Sequence, residues 1–139
     1  MSELSPEVRK FLDTQIVGVL ATASAGGRVH QSLVYYARDG EELLISTEAQ
    51  RHKANDVQGH AWASLCVMGH ERPFPSVTIS GRAEVRTEGI GRATAAIAQR
   101  VMGADQAPEP QTDQALAEVG RVVIAVTIER IGPVSYIAA

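Results

Sequence analysis

"IVGVLATASAGGRVHQSLVYYARDGEELLIST", Ile16 to Thr47, decides the architecture. Its first third, Ile16–Ser24, is apolar on both faces, as a strand covered on both sides must be. A four-residue loop, Ala25–Arg28, leads into Val29–Ala37, a second strand rich in β-formers. Asp39-Gly40 is a tight-turn dipeptide, and Glu42–Thr47 comes next as a third strand. These connections are too short for parallel crossovers, so the three strands are expected to form an antiparallel meander.

Working outward, Ser5-Pro6-Glu7 has the marks of a helix start: a hydroxyl cap, a proline at the first position and an early acid. Val8, Phe11 and Leu12 would be its buried stripe. Beyond Thr47, "QRHKANDVQGHA" predicts a short helix with Gly59 near its end. Trp62–Met68 reads as the fourth strand and Ser76–Thr87 as the fifth. In the latter Val77, Ile79, Ala83 and Val85 alternate with Thr78, Ser80, Arg82, Glu84 and Arg86. Ile90, Thr94, Ile97 and Val101 fall at helical spacing, and Thr112 would cap one or two further turns. Arg121–Ile131 is the last strand. Six strands in mostly hairpin order predict one mostly β domain over residues 1–139, a closed or nearly closed antiparallel barrel with a few short helices.

A net charge of -3 provides no basic field, which argues against nucleic acid as a partner. The single Cys66 cannot form an internal disulfide. "MSELSPEVRK" lacks the basic and apolar regions of a signal peptide, and no apolar run has the length of a membrane span. A cytoplasmic protein with no membrane partner is expected.

Three motifs invite chemical readings. Gly89-x-Gly91-x-x-Thr94 resembles a dinucleotide fingerprint, but it lacks the third glycine and a parallel βαβ setting, so a turn is expected. His30, His52, His60, His70 and Cys66 match no compact ligand spacing, and no metal is expected. No nucleophile elbow accompanies the scattered serines and histidines. The third motif, "STEAQRHKANDV" (Ser46–Val57), sets two hydroxyls and then Arg51, His52 and Lys53 where a strand becomes a helix. A helix start beside hydroxyls and cations suits an anion. Cations are otherwise disfavoured there by the helix dipole. By residue chemistry alone, a phosphate site and a solvated helix start stand level.

The succession of these pieces, from "GVLATASAGG" through "LLISTEAQRHKANDV" to "VTISGRAEV", resembles the split-barrel flavin-binding family. That family includes pyridoxamine-phosphate oxidase and small oxidoreductases of the deazaflavin coenzyme F420. The resemblance implies a six-stranded split barrel and a homodimer with two cofactor sites at the subunit interface. It carries the phosphate-gripping pair onto Arg51 and Lys53 and the hydroxyl-bearing strand end onto Ser46 and Thr47. It places Gln31 and Ser32 on the strand beside the flavin or deazaflavin ring, and Glu71–Ser76 as a wall of its own or the partner's site. Where many relatives have proline this chain has Val29. Its last residues, "GPVSYIAA", carry no arginine or histidine, which disfavours a vitamin B6 substrate.

The resemblance implies an F420-dependent oxidoreductase passing hydride to an unsaturated small organic substrate. The alternatives are a flavin mononucleotide (FMN) enzyme of the same fold, a non-catalytic carrier of a flavin, haem or lipid-like ligand, and a dimeric interaction module. No catalytic acid or base is assigned. Tyr35 and Tyr36 fall on opposite faces of their strand, so at most one can reach a given site. Arg28, Arg72 and Arg100 are candidates to meet a deazaflavin's acidic tail.

Overall fold

The structure, a computed structural model, describes residues 4–135; the terminal Tyr136–Ala139 of the stretch "GPVSYIAA" lie outside them. Ser5 caps α1 (Pro6–Thr14), its Oγ accepting the Val8 N–H at 3.1 Å. Val8, Phe11 and Leu12 form the buried stripe. Fully burying one such side chain contributes about 1.5–3 kcal/mol.

Eight strands are present where six were expected: β1 (Val17–Ala23), β2 (Val29–Tyr35), β3 (Ala37–Asp39), β4 (Glu42–Glu48), β5 (Trp62–Met68), β6 (Ser76–Arg86), β7 (Arg121–Thr127) and β8 (Arg130–Ser135). Both extra strands come from bends. The second expected strand breaks at Tyr36, a fully buried residue whose hydroxyl donates to the Leu12 carbonyl at 2.5 Å. The last breaks after Thr127, and its continuation β8 returns along β6.

The sheet runs β2-β1-β5-β6-β7-β4-β3, every pairing antiparallel, with β8 on β6. β6 belongs to both halves: residues 76–82 pair with β5 and residues 83–86 with β7. Gly81 sits at the changeover, where a Cβ would run into the Thr127 carbonyl oxygen, so the close crossing requires glycine there. The expected meander is opened out. β2 pairs with β1 and β3 with β4, but β2 and β4 do not pair.

Leu20, Leu43, Ile45, Leu65, Ile79 and Ile124 fill the barrel interior. The helices α2 (His52–Gly59), α3 (Ile90–Met102) and α4 (Asp113–Glu118) complete the fold. α3 and α4 cover the outside of β7, where Val123 packs with Ile90, Ala93 and Leu116. Residues 122–126 are therefore buried on both faces. Outside the other half-sheet no helix intervenes among the described residues. The register lines up Leu33, Val19, Cys66 and Thr78 in one row, and Gln31, Ala21, Ser64 and Ser80 in the next.

Candidate functional site

Beyond the corner at Tyr36, β2 and β4 separate. Leu33, Val34 and Tyr35 on one side and Ser46, Thr47 and Glu48 on the other border a groove of about 580 Å³. Ile97, Ala98 and Val101 of α3 form its apolar flank. Four of the six residues singled out from sequence, Ser46, Thr47, Arg51 and Lys53, line this groove. Ser46 Oγ lies 3.1 Å from Thr94 Oγ1, while Thr47, next along β4, is buried on the strand's other face with Leu43 and Ile45. Gln31 and Ser32 lie further along β2 and are not among the lining residues. Gln31 is exposed on the same face as Leu33 and Tyr35, whereas Ser32, opposite the buried Leu20, alternates to the interior side.

The helix start in the groove is unusual in its chemistry. Arg51 occupies the N-cap position of α2 with extended backbone (φ -70°, ψ 152°), and its side chain caps nothing. The first turn contains no acid. Its free N–H groups are thus flanked by Arg51, His52 and Lys53 instead of the carboxylate that the dipole favours. Arg51 Nη2 stands 3.7 Å from Glu48 Oε1, a loose and exposed pair. Lys53 is half-buried and has no carboxylate partner among the described residues. Burial, then the nearby Arg51 charge, holds its ammonium pKa below the ordinary lysine value. An anion placed between the two cations would relieve both effects. Arg121, aligned with Glu48 across β4 and β7, adds a third cation to the lining. Sequence reading missed it, because its position depends on the pairing of strands some seventy residues apart.

The other expectations resolve differently. Arg100 does not reach the groove mouth: it donates to the carbonyls of Leu12 and Gln15 and lies 4.8 Å above the Tyr36 ring. Arg28 and Arg72 are likewise absent from the lining. Of the tyrosines, Tyr35 is exposed at the groove, while Tyr36 is structural, burial pushing its hydroxyl pKa up to about 12. The turn formed by Gly89 and Gly91 is filled from within the chain. The Asp113 carboxylate accepts the Gly89 N–H at 2.8 Å and the Gly91 N–H at 2.7 Å. Glu71 and Pro75 border a second, larger hollow of about 780 Å³ against α1, away from the cations. No group of three or more metal-ligating side chains occurs among the described residues.

A buried network supports α2 from beneath. Asp56 accepts from Thr22 Oγ1 at 2.8 Å and from His30 Nδ1 at 2.7 Å. The His30 ring stacks on His52, centroids 4.5 Å apart and planes 24° from parallel. Burial opposes ionisation of Asp56, but the hydrogen bonds from His30 and Thr22 and the nearby imidazoles prevail and lower its pKa.

An antiparallel split barrel with a cationic groove at an unpaired strand edge defines a class of small ligand-binding domain. Residues 4–135 match the pyridoxamine 5'-phosphate oxidase family, and the chain belongs to it. No curated protein matches the chain by sequence. Among solved structures, the conserved hypothetical protein Rv2991 from Mycobacterium tuberculosis superposes with a TM-score of 0.72 at 23% identity, covering 94% of this chain and 84% of that one. An F420 reductase gives 0.73 at 22% identity, covering 89% and 94%. The haem storage protein HutZ from Vibrio cholerae gives 0.70 at 15% identity, covering 96% of each. At these identities the likeness is one of fold. No helix among the described residues is long and apolar enough to cross a membrane.

Proposed function

We propose that the protein is a coenzyme F420-dependent oxidoreductase that delivers hydride to an unsaturated small organic substrate. The observation that carries this reading is the convergence of Ser46, Thr47, Arg51 and Lys53 on one groove, at a helix start that no side chain caps. Arg51 offers a fork of donors to a phosphate and Lys53 a point charge. The bound deazaflavin would supply the hydride chemistry. The chain's own part is to hold the phosphate, to lay Leu33, Ile97 and Val101 along the apolar portion, and to limit water around it. Gln31, with Ser32 beside it, would meet the ring edge from β2. The fold shared with an F420 reductase favours the deazaflavin. FMN carries a phosphate of the same kind and is the alternative cofactor. The fold shared with a haem storage protein keeps a non-catalytic carrier as the second reading.

The functional unit in this reading is a cytoplasmic homodimer. Its support is the uncovered face of β2, β1, β5 and β6. There Val29, Leu33, Tyr35 and Met68 are exposed around a centre of small side chains that permits close approach. Leu33→Lys should convert the dimer to monomer in light-scattering chromatography; an unchanged mass would move the interface elsewhere.

The cofactor is tested by titrating the protein side by side with FMN and F420, following ligand fluorescence. Selective tight binding of F420 supports the reductase, and turnover of reduced F420 with activated alkenes then separates enzyme from carrier. Preference for FMN replaces the cofactor. Binding of neither leaves Arg51 and Lys53 as a solvated helix start.

A further inference from the structure

We infer that Asp56 is a positioning residue of the anion site: through His30 and His52 it fixes the rotation of α2 about its axis and so aims Lys53 into the groove. This rests on the proposed phosphate site.

An eight-residue helix has too few internal bonds to hold its shape alone. α2 also lacks a side-chain cap and first-turn acids, and its buried residues are Ala54, Asp56 and Val57. Successive residues point about 100° apart around a helix axis, so a modest roll would swing Lys53 off the groove. His52 and Asp56 stand four apart and share a face. Between them sits His30 of β2, bonded by Nδ1 to Asp56 and stacked on His52. Thr22 of β1 ties the same carboxylate oxygen from a second strand. A carboxylate only accepts, so His30 carries its proton on Nδ1, which fixes the tautomer and the ring plane. Two points one turn apart, clamped by one imidazole, leave the helix no free roll.

The test uses Asp56→Asn, His52→Ala and His52→Phe. Amide exchange in α2 of the free protein needs no cofactor. Faster exchange of residues 55–59, the amides bonded within the helix, in Asp56→Asn and His52→Ala, with the barrel strands unchanged, is expected; unchanged protection overturns the inference. The second readout compares the cofactor that binds with the same ring lacking phosphate: F420 with its phosphate-free deazaflavin core, or FMN with riboflavin. Loss of the clamp should lower the affinity ratio of the phosphorylated to the phosphate-free ligand about tenfold, the scale of one charge-assisted contact. General loosening would weaken both ligands alike and leave the ratio intact, which also overturns it. His52→Phe keeps a flat ring over His30 and should restore the ratio; a ratio as low as that of His52→Ala would make His52 a direct ligand instead. If the parent protein binds neither flavin nor F420, it is the phosphate-site reading that has failed, and the inference falls with it.

Discussion

α2 and α3 begin in opposite ways. The start of α3, at Gly89, is closed by a carboxylate from further along the chain: Asp113 takes the N–H groups of Gly89 and Gly91. The start of α2, at Arg51, has no side-chain cap and no acid in its first turn, and Arg51 and Lys53 flank it. Both present the same backbone donors and the same positive dipole end. One is satisfied within the fold and therefore structural. The other is left unsatisfied, and its neighbours carry the wrong charge for a solitary helix. The glycine-rich sequence that looks most like a nucleotide motif marks the closed start, whereas the plainer one marks the open start.

Substitutions can break or sharpen this contrast. The largest effect is expected for Lys53→Ala, which should weaken cofactor binding about a hundredfold by removing a desolvated charge-assisted contact. Asp113→Ala should leave the same titration within about twofold if the closed start takes no part in binding. Similar losses in both variants would erase the distinction.

Gly91→Ala probes how tightly the closed start is built. The new methyl would meet the Gln111 carbonyl oxygen, and the denaturation midpoint should fall by the equivalent of about 1–3 kcal/mol. An unchanged midpoint would mean that the α3–α4 approach can relax. Arg51→Ala should cost about fivefold in cofactor affinity, less than Lys53→Ala, because Arg51 is largely exposed and already shares its charge loosely with Glu48. A loss exceeding that of Lys53→Ala would reverse the ranking of the two cations.

The smallest effect is in acid. The backbone N–H groups of Gly91 and then Gly89 hold the Asp113 carboxyl below its ordinary 3.8. A carboxyl with a lower pKa folded than unfolded stabilises the fold above the unfolded value and loses that contribution as pH falls through the folded one. Asp113→Asn should therefore melt below the parent at neutral pH, the gap shrinking below pH 3.8. A gap constant down to the acid limit would mean that charge on Asp113 is irrelevant to the cap.

The legible parts of this chain were those set by neighbours in sequence. The Ser5 cap, the Val8–Phe11–Leu12 stripe, the Thr112 cap and the span Trp62–Met68 all arise from patterns a few residues long. The gathering of Ser46, Thr47, Arg51 and Lys53 was legible for the same reason: one strand end and one helix start carry all four. The parts that could not be read depend on distant partners. The break at Tyr36 rests on Leu12 and Arg100, and the fate of the Gly89–Gly91 turn rests on Asp113. Asp56 carries no local signal in the sequence, because its partners Thr22 and His30 come from two distant strands.

The corner at Tyr36 has a mechanical consequence. The two half-sheets share the long strand β6 on one side, and on the other the chain passes directly from β2 to β3 through this single residue. Leu33, the β2 residue of the groove furthest from it, lies three residues away, a lever arm of roughly 10 Å at about 3.3 Å per residue. A swing of about 5° at the corner would displace Leu33 by about 1 Å. The Leu12 hydrogen bond and the Arg100 guanidinium stacked on the ring act as the bolt in this hinge. The gauge of the groove is thus set from behind its lining, at Tyr36.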